Sequence, residues 1–196
     1  MTPDPPQPSR RHRVFVQGLT PRRKTSASEG SSTASVPPPF LVGHGYDIHR
    51  LQSGGKLMLG GVNVSEEMSA IAHSDGDVVL HALVDALLGA LGLGDIGEYF
   101  PNSDPRWKNA ASRLFVEEVN RRLLQRGYRV SNVDVTILLE RPKIGMMKSQ
   151  IIASLRGLLG ESAGINIKAG TNEGCDSVGR GEAVAAHAVA LIALSG

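Results

Sequence analysis

A single stretch restricts this chain more than its composition does. Residues 72 to 81 (AHSDGDVVLH) place a histidine, a serine and two aspartates around a glycine, then enter an apolar run that ends in a second histidine. Ser-Asp-Gly-Asp is turn chemistry, because short polar side chains bond to nearby backbone and glycine tolerates positive φ. From Val78 to Leu93 the only polar residues are His81 and Asp85, so this helix must be buried. Polar groups are thus carried from a loop into the mouth of a buried helix, which Ser74 or Asp75 is expected to cap. His81 and Asp85, four apart, share a helical face.

The flanking sequence divides in two. Residues 1–39 hold eight of the eleven prolines, clustered arginines at Arg10, Arg11, Arg13, Arg22 and Arg23, and a Ser/Thr-rich middle. Such a segment cannot bury enough surface to offset the entropy of ordering, and it reads as disordered. Rich in Arg and Ser and without the apolar core of a secretory signal, it fits an organelle transit peptide. It carries six Lys/Arg against two acids, which leaves residues 40–196 with fifteen against seventeen. The body is slightly acidic, so the net charge of +2 gives no ground for nucleic-acid or membrane binding. One cysteine, Cys175, rules out an intramolecular disulfide, and no apolar run approaches the ~20 residues of a membrane span.

Within residues 40–196 the pattern mixes strands and helices. Phe40 to His49 reads as a strand with Tyr46 and Ile48 on one face and Asp47 and His49 on the other. Lys56 to Val64 reads as a hairpin turning at Gly60-Gly61. Ala110 to Arg126 is an amphipathic helix with Ala111, Phe115, Val119 and Leu123 at a spacing of four. Val130 to Leu139 alternates as a strand, Lys148 to Leu159 is a helix, and Ile165 to Ala169 is a short strand. The run Ala183 to Leu194 is alanine-rich and favours helix by propensity, while its Val and Ile content allows a buried strand.

Asp47, His49 and His81 form the sharpest chemical constellation. Two imidazoles and a carboxylate are a catalytic zinc set that leaves a fourth position open, and they also suit iron. Asp85, one turn after His81, is expected to accept its free imidazole N–H. A second group, Thr171 and Glu173 in the loop from Ala169 to Gly174 with Arg180 beyond, offers what a phosphate site uses, with a carboxylate suited to Mg²⁺. The same zinc ligands would serve a generic zinc-dependent phosphate-ester hydrolase, given a positioned base for water.

The segments GHGYDIH (43 to 49), AHSDGDVVLHAL (72 to 83), DALLGALGLGDIGEYFPNSDPRWK (85 to 108), NVDVTI (132 to 137) and GRGEA (179 to 183) resemble the 2-C-methyl-D-erythritol 2,4-cyclodiphosphate synthase family of the non-mevalonate isoprenoid pathway. The resemblance runs in order from about Val42 to Leu194, and it implies a strand over Ala183 to Leu194. It implies an α+β fold, a mixed β-sheet with helices on one face, assembled as a homotrimer whose sheets line a central core with active sites at subunit boundaries.

It also implies a reaction: metal-dependent cyclisation of a cytidine-diphosphate derivative of methylerythritol phosphate, with release of CMP. By the same correspondence one Zn²⁺ per subunit sits on Asp47, His49 and His81, while Mg²⁺ or Mn²⁺ sits near Glu173. His73 and Thr171 stabilise the transition state. His73 and Ser74, Asp95, Ile96 and Gly97, and Phe100 to Asp104 hold the methylerythritol phosphate beside Asp47 and His49. The loop Glu140 to Met146, with Lys143, and the backbone at Ala169 receive cytidine, and Arg180 matches a family arginine. Against that pattern, Gly170-Thr-Asn-Glu-Gly replaces a Thr-Thr-Thr-Glu-Lys run, and Ser177 replaces a phenylalanine. The wording at Asp176-Ser-Val-Gly and Lys143 is similar to the plastid branch, which accords with a transit peptide over residues 1–39.

Overall fold

The computed structural model describes residues 37–195. The disordered, transit-peptide-like segment expected over residues 1–39 therefore lies, for residues 1–36, outside the described residues. Five strands form one mixed sheet in the order β4-β1-β7-β5-β6, where β1 is Phe40–Ser53, β4 is Met68–Ala70, β5 is Tyr128–Leu138, β6 is Gly164–Gly170 and β7 is Ala183–Leu194. All neighbouring strands are antiparallel except β5 and β6. The hairpin of β2 (Leu57–Leu59) and β3 (Val62–Ser65) stands apart and turns at Gly60-Gly61, both at positive φ as expected.

The alanine-rich run is the strand β7, against its helical propensity. It pairs with β1 on one side and β5 on the other, and most of its residues are buried. Tertiary pairing on both edges thus overrides a preference that is worth only tenths of a kcal/mol per residue. Beneath the sheet lies the apolar helix α1 (Val78–Ala90), buried along eleven of its thirteen residues. The short helix α2 (Ile96–Tyr99) follows, then α3 (Arg113–Gln125), which buries Phe115, Val116, Val119 and Leu123, and α4 (Lys148–Leu159), which buries Ile151, Leu155 and Leu159.

α1 approaches β1 at backbone contact. A Cβ built on Gly43 would stand 1.9 Å from the Ala86 carbonyl oxygen, and one on Gly45 would stand 1.9 Å from that of Ala82. Only glycine allows the strand that carries Asp47 and His49 to lie this close to the helix that carries His81.

The cap of α1 differs from expectation. Neither Ser74 nor Asp75 fills that place; Asp77 does, accepting from the N–H groups of Val79 and Leu80. Its carboxylate also accepts from Gly60 N–H at 2.8 Å and Gly61 N–H at 2.6 Å, clipping the hairpin turn to the helix start. A fully buried carboxylate with four backbone donors is satisfied on every side. Asp77→Asn sets amide hydrogens against some of those donors, and we expect it to lower stability by about 2–3 kcal/mol, read from urea unfolding.

Candidate active site

Strand alternation and one helical residue bring the ligand-type residues together. On β1, Asp47 and His49 sit on the face toward α1 while Tyr46 and Ile48 are exposed on the other, as the period of two requires. From α1, His81 presents Nδ1 at 2.9 Å from Asp47 Oδ2 and 3.1 Å from His49 Nε2, and His49 Nε2 lies 3.2 Å from Asp47 Oδ2. A tetrahedral ion with ligand bonds of about 2.0–2.1 Å spaces its ligands roughly 3.3 Å apart, so the triangle already has the dimensions of three ligands around one cation. The three residues constitute a possible metal site. Burial pushes the Asp47 carboxyl up, but hydrogen bonds from His49 and His81 and their charge outweigh it and hold it well below the usual carboxylate range.

The other imidazole nitrogen of His81 is held by serines. Nε2 lies 2.8 Å from Ser112 Oγ and 3.1 Å from Ser74 Oγ. Asp85, expected in that role, instead accepts the Ile96 N–H at 2.7 Å and so anchors α2. The face shared by His81 and Asp85 is real, but a nearer backbone donor takes the carboxylate. Ser112 lies far from His81 in sequence, and nothing local to either residue signals the contact.

Next to the triangle opens a cavity of about 510 Å³. His73, Ser74, Ile96, Gly97 and Phe100 are among its lining residues. Its apolar wall includes Trp107 and Phe115, which the sequence placed in a loop and a helix core without assigning them to a site. Phe115 stacks on Phe100 and on His81, while Trp107 meets Phe100 and Phe115 edge-on. His73 Nε2 is buried without a hydrogen-bond partner, an orphaned polar atom of the kind that a ligand satisfies. Two neighbours from the expected set do not line this cavity. Asp95 caps α2 through Glu98 N–H, and Asp104 is paired with Arg106.

The remaining expected residues lie elsewhere on the chain. Lys143 and Thr171 line a separate cavity of about 260 Å³ with Pro142, Ile144 and Ala169, and it shares no lining residue with the first. Glu173 adopts positive φ at 50°, and its N–H and that of Asn172 donate to Glu140 Oε1. Arg180 is paired with Glu182. One chain therefore assembles the ligand triangle and its cavity, and separately a second hollow at the Thr171 loop. Among the described residues no helix is long and apolar enough to cross a membrane.

Comparison with known proteins fits this geometry. A profile of the YgbB family matches residues 40–193. The chain is 49% identical over 155 residues to the chloroplastic 2-C-methyl-D-erythritol 2,4-cyclodiphosphate synthase of Arabidopsis thaliana, covering 79% of this chain and 67% of that protein. Its fold is similar to the bifunctional IspDF of Campylobacter jejuni, with a TM-score of 0.75 and 34% identity, over 79% of this chain but only 42% of that one. The CDP complex of IspF from Plasmodium falciparum superimposes with a TM-score of 0.70 at 31% identity, covering 80% of this chain and 97% of its own. With the profile running from the first residue of β1 to residue 193 in β7, and a glycine-spaced strand and helix converging on one ligand triangle, the chain belongs to the YgbB family, that of the 2-C-methyl-D-erythritol 2,4-cyclodiphosphate synthases.

Proposed function

We infer that this protein is a phosphorus-oxygen lyase of isoprenoid precursor biosynthesis. It converts 4-diphosphocytidyl-2-C-methyl-D-erythritol 2-phosphate to 2-C-methyl-D-erythritol 2,4-cyclodiphosphate and CMP. The observation that carries this reading is the ligand triangle of Asp47, His49 and His81 at the edge of a cavity lined by His73 and Ser74, in a chain of this family. An oxygen of the 2-phosphate attacks the β-phosphorus; the new P–O bond closes the ring, and the bond from that phosphorus to the oxygen bridging to the α-phosphate breaks, so CMP leaves. Folding one substrate back on itself makes positioning and charge neutralisation the main tasks.

Asp47, His49 and His81 would hold Zn²⁺, and Glu173 would hold Mg²⁺ or Mn²⁺ together with substrate oxygens, the donor set such ions take. The bound metals supply Lewis-acid polarisation of the phosphoryl groups. The chain's own residues do the rest. His73 Nε2 and the Ser74 hydroxyl donate to phosphoryl oxygens, while Ile96, Gly97 and the Phe100 ring shape the methylerythritol end. Asp95 and Asp104 fix the loops on either side of that end through their own backbone bonds. Lys143 and the hollow beside it receive the cytidine portion, and Thr171 with Arg180 faces phosphate. Incubation of the protein with substrate, Zn²⁺ and Mg²⁺ is expected to give CMP and the cyclic diphosphate in equal amounts. Release of CMP without the cyclic product would instead identify a zinc-dependent hydrolase.

The two hollows share no lining residue within one chain, and the substrate is read as spanning them across a subunit boundary. The sheet face opposite the helices is suited to assembly: Phe40, Val42, Tyr46, Ile48 and Val189 expose large apolar side chains there, Val42 with 66% of its surface. A homotrimer with these faces around a central core unites the Asp47 triangle of one subunit with the Thr171 loop of its neighbour. Val42→Asp is expected to sediment as a monomer and to lose turnover while keeping its circular dichroism. A wild-type chain that sediments as a fully active monomer would contradict it. Residues 1–39 act as a plastid transit peptide and residues 40–196 as the catalytic domain. Their Arg- and Ser-rich composition and the chloroplastic relative support that division.

A further inference from the structure

We propose that His44 and His187 form a second divalent-metal site, on the sheet face turned away from the Asp47 triangle, for a borderline transition ion such as Zn²⁺. Strand pairing builds it. Along β1, His44 leaves on the exposed face with Val42 and Tyr46, while Asp47 and His49 leave on the face toward α1. In the register of β1 with β7, Tyr46 stands opposite His187 and His44 opposite Val189, so the two histidines are diagonal neighbours on that exposed face. His44 Nε2 lies 3.3 Å from His187 Nδ1. The Tyr46 ring packs on His187 with 4.7 Å between centroids, and Thr136 of β5 stands opposite His187 on its other side.

The spacing and the donor set select the ligand. Adjacent ligands around a tetrahedral ion at bonds of about 2.0–2.1 Å stand roughly 3.3 Å apart, the separation of these two nitrogens. With ring hydrogens on the outer nitrogens, His44 Nδ1 and His187 Nε2, two neutral imidazoles turn both lone pairs toward one point. Without an ion, the same two atoms share a hydrogen, so binding asks only for a change of tautomer in one ring. Among the described residues neither ring has another side-chain hydrogen-bond partner, and no carboxylate competes for the lone pairs. Imidazole suits zinc, copper and nickel, whereas magnesium and calcium take oxygen donors. His44 is exposed and His187 half-buried, so an ion reaches the pair from solvent, and water or a second copy fills the remaining positions. An ion held there ties β1 to β7 behind the strand that carries Asp47 and His49.

The site does not depend on the active-site reading, and one experiment separates the two. Zn²⁺ alone is titrated into the tag-free full-length chain by equilibrium dialysis, with circular dichroism checking that each variant is folded. The wild type is expected to show two classes of site. H44A and H187A each lose one class and keep the other, while H49A/H81A loses the class that those variants keep. Comparison of the wild type with H44A and H187A gives the answer even where H49A/H81A does not fold. Because an ion that binds only the folded pairing stabilises it, Zn²⁺ is also expected to raise the melting temperature of H49A/H81A and to leave that of H49A/H81A/H187A unchanged. A wild-type isotherm with no class beyond the one lost in H49A/H81A would overturn the proposal and make the pair a hydrogen bond alone. So would a second class that survives in both H44A and H187A. A missing triangle class, with the His44 class present, would count against the proposed function and leave this site standing.

Discussion

Replacing His81 by alanine lowers turnover of the cytidine-diphosphate substrate at least ~100-fold, the consequence of taking one ligand from a three-ligand Lewis-acid site. The imidazole is the only one of the three ligands that comes from the helix, and its Nδ1 closes the triangle with Asp47 and His49 at 2.9 and 3.1 Å. Removing it leaves two ligands from a single strand, with the carboxylate of Asp47 keeping only His49 as a partner. Bound zinc, measured on the purified variant, is expected to fall with activity, while β7 and the rest of the sheet keep their far-ultraviolet signature. An H81A protein with wild-type turnover would remove the basis for the proposed mechanism.

A methyl group added at Gly45 unfolds the region that makes the site. Its Cβ would lie 1.9 Å from the Ala82 carbonyl oxygen and 2.8 Å from the Ala86 nitrogen, both backbone atoms of α1 that no rotamer change can clear. The helix must move as a body or the strand must bend, and overpacking against backbone sits at the severe end of such substitutions. We expect Gly45→Ala to lose at least ~3 kcal/mol in urea unfolding and to lose activity with it, because the displaced helix carries His81. Gly89 provides the contrast. A Cβ there meets only the His44 carbonyl oxygen, at 4.0 Å, so Gly89→Ala is expected to be neutral or to gain a few tenths of a kcal/mol from helix propensity. Equal tolerance at both positions would show that the close strand–helix approach does not limit stability.

What could be read from the sequence follows the range over which each signal acts. The face shared by Asp47 and His49 was legible because alternation along a strand is a property of adjacent residues. The burial of α1 was legible because its surface is apolar nearly all round, broken only by His81 and Asp85. The turn at Gly60-Gly61 was legible from the glycine pair itself. The cap was not, because three of the four residues in Ser74-Asp-Gly-Asp can all accept from a helix N-terminus. Contact with Gly60 and Gly61, from another segment, gives the place to Asp77. Nor was the partner of His81 legible. Helical spacing points to Asp85, whereas the hydroxyls that reach Nε2 are those of Ser112, at the start of α3, and Ser74, in the loop before α1. For β7, composition pointed toward helix, and the family resemblance and the pairing of both strand edges pointed the other way.

The aromatic wall of the cavity makes the protein optically simple. The chain contains a single tryptophan, Trp107, and it is set edge-on to Phe100 and Phe115 beside the ligand triangle. Every photon of indole emission from a subunit therefore originates at the edge of one cavity. Excitation at the red edge of the indole band, where the three tyrosines are silent, makes the native fluorophore a reporter of that cavity's occupancy without any label.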